Sequence, residues 1–231
     1  MISTIGGTEM DSFDPAWEEI FQNQEWGRYP GEEVIRFVAR NFYKGDRARI
    51  KLLDVGCGTG AVTWYMAREG FDVYAFDGSE TAVRKARERM REEGLRARIC
   101  VSDAAGMPYS DHFFDGLVDS AMINGNTVQN IKRILQECFR VLKPGGKFFS
   151  TGLFKTGMTG YGTGERLEEN TYREITVGNL AHRGTVHFFG EQEIQTLWSE
   201  AGFRNIVIDS IERTEQGGQN RISYYLAEAE K

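Results

Sequence analysis

"LLDVGCGTG", residues 52–60, decides the fold. Leu52, Leu53 and Val55 read as a short buried strand, and the chain then breaks into glycine. Gly56, Gly58 and Ala61 fit the G-x-G-x-x-G/A pattern, in which backbone approaches a dinucleotide at a helix N-terminus. Asp54, Gly56, Gly58 and Gly60 fit a second pattern, E/D-x-G-x-G-x-G. Either pattern puts a ligand beyond the carboxyl end of the first strand, at the switch point of an open α/β sheet. Glycine serves both, because it has no Cβ to hold ligand and backbone apart.

The flanking sequence supplies the rest of that sheet. "IKLLDV", "FDVYAFD", "RARICVSDA", "FDGLVDSA" and "KFFSTGLF" read as strands. Between them lie "AVTWYMAREG", closed by Gly70, and "SETAVRKARERMREEG", with Ser79 as N-cap and Gly94 as stop. "TVQNIKRILQECFRVL" follows, with Ile131, Leu135, Cys138 and Leu142 on one stripe, and "KPGG" turns the chain. Strands alternate with helices from Ile50 to Phe154 at about the ~30-residue length of a βαβ crossover. This predicts a parallel sheet with helices on both faces.

Ahead of the core, residues 1–13 are small and polar and read as loose. "DPAWEEIFQN" starts a helix after Asp14, with Pro15 in its first turn and Trp17, Ile20 and Phe21 on one face. "WGRYPG" breaks it, and "EEVIRFVARNFY" resumes with Val34, Phe37, Val38 and Phe42 together. Beyond the core, Lys155 to Phe189 shows no helical period and is too long for a bare loop. It reads as a β-containing insertion, with "NTYREITV" and "GTVHFF" as short strands. "EQEIQTLWSEAG" is a last helix, and "FRNIVIDSI" and "RISYYLAEAE" flank the turn-rich "RTEQGGQN" as a hairpin. One domain over 1–231 is expected: a helical lid segment 1–43, a ligand-binding core 44–154, a substrate-side insertion 155–189, and the final helix and hairpin 190–231.

Composition narrows the class. With 40% hydrophobic and 27% charged residues the chain is globular rather than disordered. Its formal net charge of −6, without a basic block, argues against a nucleic-acid partner. No run of about 18 apolar residues is present to span a membrane, and the first residues lack the basic-then-apolar pattern of a secretory leader. Cys57, Cys100 and Cys138 are far apart, as are the three histidines. That spacing suits a reducing compartment and gives no metal site. The expectation is a cytoplasmic protein with no metal.

Carboxylates separate the two glycine patterns. Asp54 stands at the end of the first strand, where it would repel a pyrophosphate and favour a sulfonium or α-ammonium group. Asp77 ends the second strand, where a carboxylate accepts from ribose hydroxyls. Asp103 follows the third strand, where it would accept from an adenine amino group; dinucleotide folds do not usually place an acid there.

At this point the chain resembles the class I S-adenosylmethionine-dependent methyltransferases. "LLDVGCGTG", "VYAFDGS", "VSDAAGMPYSDHFFDGL" and "ECFRVLKPGGKFFS" occur in that family's order and spacing, over about Val34 to Ser150. "VHFFGEQEIQTLWSEAGFRNIVI" fits more loosely. The resemblance implies a Rossmann-like α/β fold of seven mostly parallel strands, in the order 3-2-1-4-5-7-6 with the seventh antiparallel. It implies S-adenosyl-L-methionine as cofactor and S-adenosyl-L-homocysteine as product. Gly56, Gly58 and Gly60 would line the methionine part, and Asp54 would help hold its amino group. Asp77 would bind the ribose, and Asp103 with Ala104 the adenine edge. Gly78 departs from the bulkier residue with which the family packs against adenine.

Methyl transfer is an in-line displacement that asks the protein to hold a nucleophile about 3 Å from the methyl and exclude water. A hydroxyl or ammonium acceptor also needs a base. Asp119, in "GLVDSAMINGN", is one candidate, as a base or a cofactor-side contact; its other reading is a carboxylate paired at a strand end. It lies near where relatives acting on nucleic-acid or glutamine amino groups carry Asn/Asp-Pro-Pro-Tyr, and "DSAM" argues against those substrates. His187 in "TVHFFG" is the histidine candidate for a base, against a packed histidine. Tyr29 and Arg28 lie in the lid segment, facing cofactor or substrate or simply breaking a helix. Arg166, Arg173 and Arg183, with His182, would suit an acidic acceptor. Interleaved with Glu165, Glu168, Glu169 and Glu174, they also read as a solvated surface. The expected function is methylation of an oxygen, or a nitrogen, of a small molecule. A homodimer stays open. The rivals are an NAD-dependent oxidoreductase and a non-catalytic S-adenosylmethionine-binding protein.

Overall fold

The structure, a computed structural model, describes residues 10–231. Its centre is a seven-stranded sheet built from β1 (Lys51–Val55), β2 (Asp72–Asp77), β3 (Arg98–Val101), β4 (Phe114–Ser120), β5 (Leu142–Phe154), β9 (Arg204–Glu215) and β10 (Asn220–Glu230). The spatial order is β3-β2-β1-β4-β5-β10-β9. β10 runs antiparallel to both β5 and β9, and the remaining pairs are parallel. This is the order and the single reversal expected from the sequence.

Period-2 alternation along β1 feeds two cores. Leu53 and Val55 face one side with Leu117 and Phe148, against α5 (Val128–Val141) and α6 (Glu191–Glu200). Leu52 faces the other side with Val73, Val118 and Phe149, against α2 (Glu32–Phe42) and α3 (Ala61–Arg68). Val34, Phe37, Val38 and Phe42 of α2 are all buried. At about 2 kcal/mol for each buried side chain of this size, that stripe fixes the helix to the sheet. α4 (Glu80–Glu92) completes the wrap through Val83, Ala86 and Met90. Ser79 caps it, its hydroxyl accepting from the Ala82 amide at 3.0 Å.

α1 (Ala16–Asn23) starts where expected: the Asp14 carboxylate accepts from the Ala16 amide at 3.0 Å. It lies across the start of α4. Glu18 accepts from the hydroxyls of Ser79 and Thr81, and Lys85 donates to the Phe21 carbonyl at 2.6 Å. The reading of residues 1–13 as loose divides. Residues 1–9 lie outside the described residues, whereas Asp11 and Ser12 are pinned to Asp103.

The insertion is a small antiparallel sheet of β6 (Glu165–Glu168), β7 (Thr171–Arg173) and β8 (Val186–His187). β7 and β8 fall inside the two stretches read as strands. β6 was hidden in a run of charge and glycine. The closing hairpin is longer than its sequence suggested: β9 continues through Arg213 and Thr214, and the turn contracts to Gln216–Gly218. Gly217, at φ +67°, permits it. Among the described residues no helix is long and apolar enough to cross a membrane.

Candidate active site

The carboxyl ends of β1, β2 and β4 open on one cavity of about 470 Å³. Its floor is the glycine loop. Gly56 and Gly58 have φ of +69° and +50°, in the left-handed region where a Cβ is strained. A Cβ on Gly56 would lie 2.6 Å from Met122 Cβ. Gly60, at φ +87°, sets the entry into α3 and packs toward Ala86, off the cavity wall.

Asp54 and Asp77 stand on either side of this loop, 1% and 7% exposed. Asp54 Oδ2 accepts from the Thr63 amide at 2.8 Å and hydroxyl at 2.6 Å. Burial pushes its carboxyl up to about 7, against those hydrogen bonds. Asp77 accepts from the Gly58 amide at 2.8 Å and the Ser79 amide at 2.9 Å, one bond on each oxygen. Burial raises it to about 6. Each Asp77 oxygen keeps a lone pair for a ligand hydroxyl.

The roof comes from the N-terminal segment and the loop after β4: Phe13, Trp17, Phe21, Trp26 and Tyr29 face Met122, Asn124 and Asn126. Beyond them the cavity runs to the insertion and the final hairpin, at Met158, Leu180, Arg183, Arg213, Ile222 and Tyr224. Arg183 lies 4.6 Å over the Trp26 ring and donates to Gln24 Oε1 at 3.5 Å. Among the described residues it forms no ion pair. Burial holds it below its ordinary range. Glu33 accepts from Thr151 Oγ1 at 3.2 Å and the Tyr224 hydroxyl at 3.5 Å. Asn124 is 4% exposed, and its Oδ1 has no protein donor among the described residues.

The cavity thus gathers Tyr29, Asp54, Gly56, Gly58, Asp77, Gly78, Ala104 and Arg183 of the residues singled out from sequence. Others are corrected. His187 is fully buried, its ring held between Thr171 Oγ1 at 2.7 Å and Glu193 Oε1 at 3.2 Å, and it does not line the cavity. It ties β7 to α6. Asp119 is likewise 0% exposed and off the cavity wall. Its carboxylate accepts from the Met122 and Ile123 amides at 2.9 and 3.2 Å and from Ser150 Oγ at 2.5 Å. Asp119 therefore shapes the loop that carries Met122 and Asn124 rather than meeting a ligand, and burial raises it to about 6.

Arg28 points away to Glu93, Arg166 and Arg173 stay on the exposed face of the small sheet, and His182 is exposed. None lines the cavity. Asp103 is already taken by the N-terminal segment: Oδ1 accepts from Ser12 Oγ and the Ala105 amide, Oδ2 from the Asp11 and Ser12 amides. Burial acts to raise its carboxyl, but these bonds outweigh it and hold it below the ordinary value.

Sequence reading missed Phe13, Glu33, Asn124, Arg213 and Tyr224. Of these only Asn124, in the loop "MINGN" that follows a strand, carried a signal. The others reach the cavity through contacts distant in sequence.

Residues 52–146 match a family model described as a methyltransferase domain. A solved S-adenosylmethionine-dependent methyltransferase from Methanosarcina mazei superposes with a TM-score of 0.68 at 26% identity, over 82% of this chain and 94% of that one. Residues 52–146 are thus a methyltransferase domain, set in the fold of the class I S-adenosylmethionine-dependent methyltransferases. Methyltransferase GfsG of Streptomyces halstedii is 37% identical over 101 residues, which are 42% of this chain and 35% of that protein. A tRNA N(3)-cytidine methyltransferase of Danio rerio is 27% identical over 76% of this chain and 51% of its own. The chain thus spans less than two thirds of the length of either. The cofactor of this methyltransferase family is S-adenosylmethionine, and the cradle fits it. The glycine floor leaves no room for a Cβ at Gly56, and the buried carboxylates of Asp54 and Asp77 line the same cavity.

Proposed function

We propose that this protein transfers a methyl group from S-adenosylmethionine to an oxygen or nitrogen of a small molecule with an apolar body and an anionic group. The observation that supports this reading is one cavity lined both by Asp54 and Asp77 and by Arg183, which forms no ion pair among the described residues. A guanidinium without a carboxylate, stacked on an indole and drawn out of water, is a site for a carboxylate or phosphate. Trp17, Trp26, Met158 and Ile222 on the same wall would cover an apolar body.

When bound, S-adenosylmethionine supplies an electrophilic methyl group on a sulfonium. The chain would do the rest by position. Asp54 would hold the α-ammonium end and Asp77 the ribose. Asn124 Oδ1 would accept from the N–H or O–H of the incoming nucleophile, and so would aim it. Glu33, on the cavity wall with Asn124, would take the proton released. With His187 and Asp119 off the cavity wall, Glu33 replaces them as the candidate base.

The test is transfer of radiolabelled methyl over a panel of apolar carboxylates and phosphates, with tRNA as a separate arm. Turnover on an anionic small molecule, with KM raised about tenfold or more in Arg183→Ala, is expected, since a charge-assisted hydrogen bond contributes about 1.5–3 kcal/mol. Labelling of tRNA alone would refute the small-molecule reading, and no transfer to any arm would favour a binding protein.

A further inference from the structure

Residues 11–14 form a strap fastened at three places. Asp103 accepts from the Asp11 amide at 2.7 Å and from the Ser12 amide and hydroxyl. α5 holds Asp11 through Asn130 Nδ2 at 2.8 Å and Arg133 Nη1 at 2.9 Å. The insertion reaches the far end, where the Thr185 amide donates to Asp14 Oδ2 at 2.8 Å. Between these ties stands Phe13, on the cavity wall beside Phe76, Asp77 and Ala104.

Its ring lies against Gly78. A Cβ on Gly78 would come 2.8 Å from Phe13 Cβ and closer still to the ring carbons, so no larger residue fits there while the strap is in place. Gly78 does not have a left-handed φ, so its backbone does not call for glycine. The space does. Here the residue that follows the ribose-binding carboxylate has no side chain, and an aromatic ring from 65 residues earlier in the chain fills its place.

We propose that Phe13 is the adenine-packing residue of the cofactor pocket, delivered by the strap into the space left by Gly78, and that Asp103 is the latch that holds the strap rather than an adenine acceptor. Asp103 suits a latch because each of its oxygens already accepts two protein hydrogen bonds, which leaves no lone pair for a base amino group. An aromatic ring suits the other role, because a flat base packs well on it whatever its edge presents. Asp103 is then a positioning residue. The inference rests on the reading of this cavity as the S-adenosylmethionine site.

The test is calorimetric titration of the full chain with S-adenosylhomocysteine and, separately, with adenosine, which lacks the methionine part. Phe13→Ala should weaken both ligands by a similar factor, about tenfold, within the range of base–aromatic packing. Gly78→Leu alone should weaken them as well, because Leu and the Phe13 ring compete for one space. Phe13→Ala combined with Gly78→Leu should recover most of the loss, an outcome that a merely misfolded variant would not give. Asp103→Ala should weaken binding, and adding it to Phe13→Ala should cost little more, because both act through the strap.

Unchanged affinity in Phe13→Ala overturns the proposal. So does tighter binding, which would make the ring a plug in the adenine pocket. Additive losses for Phe13 and Asp103 return Asp103 to the adenine. Asp77→Ala separates the two levels: if it binds S-adenosylhomocysteine like wild type, the cofactor reading itself falls, and this inference falls with it. If Asp77→Ala loses affinity and Phe13→Ala does not, only the inference falls.

Discussion

Asp54 and Asp77 are buried carboxylates whose neighbours are backbone amides and a threonine rather than cations. Their folded values of about 7 and about 6 lie above the ~3.9 of an unfolded aspartate. Between about pH 4 and 7 the folded chain therefore keeps protons that the unfolded chain has released. The stability these two groups contribute is present at low pH and is lost as pH rises through that window. Ligand binding should run the other way, because an α-ammonium needs the Asp54 anion. Affinity for S-adenosylhomocysteine should rise from pH 5.5 to about 7 and then level off, with the slope reduced in Asp54→Asn; a titration series across pH measures it. Asp77→Ala should weaken the same ligand by about 10- to 100-fold, the range for one or two hydrogen bonds to a charged group. Both carboxylates could be placed on the cavity from sequence because they lie at the carboxyl ends of β1 and β2, where an open α/β sheet opens its cleft. His187 and Asp119 were misread for a related reason. Residue type and position suggested chemistry, but burial behind the cavity wall depends on packing that no local pattern records.

At the scale of elements, the helices and strands of the core could be read from period and caps, as at Ser79 and along α2. The insertion could be read only in part. β6 pairs through Glu165, Arg166 and Glu168, whose charges suggest a surface loop, and β8 is only two residues long. An apolar cluster of Val186, Phe188, Met158 and Ile222 packs this small sheet onto β10, and a polar tie joins it to α6. His187 bridges Thr171 on β7 and Glu193 on α6 while stacking edge-on against Phe189 at 4.5 Å. His187→Ala should therefore destabilise the protein by about 2 kcal/mol or more, through the cavity it leaves and the two hydrogen bonds it removes. Chemical denaturation measures that loss, and affinity for S-adenosylhomocysteine in folded protein should stay at the wild-type level. A matching loss of turnover with no loss of stability would return His187 to the chemistry. The strap was invisible in sequence, since nothing in "DSFD" says that a ring there meets a glycine after β2.

Over the whole molecule, the topology could be read because five strands and their crossovers repeat in a regular order, and the closing hairpin supplies the reversed strand. The acceptor part of the cavity could not. Arg183, Arg213 and Tyr224 come from an insertion and a hairpin that meet only when β10 lies beside β5. One part of the cavity is thus built from local motif and the other from tertiary contact, and the proposed transfer joins the two. The most direct measurement is calorimetric titration of the intact protein with S-adenosylhomocysteine and with NADH, for wild type and Asp77→Ala. One S-adenosylhomocysteine bound per chain, more weakly in the variant, and no binding of NADH are the expected results. Binding of NADH alone, or S-adenosylhomocysteine affinity indifferent to Asp77, would contradict the cofactor assignment.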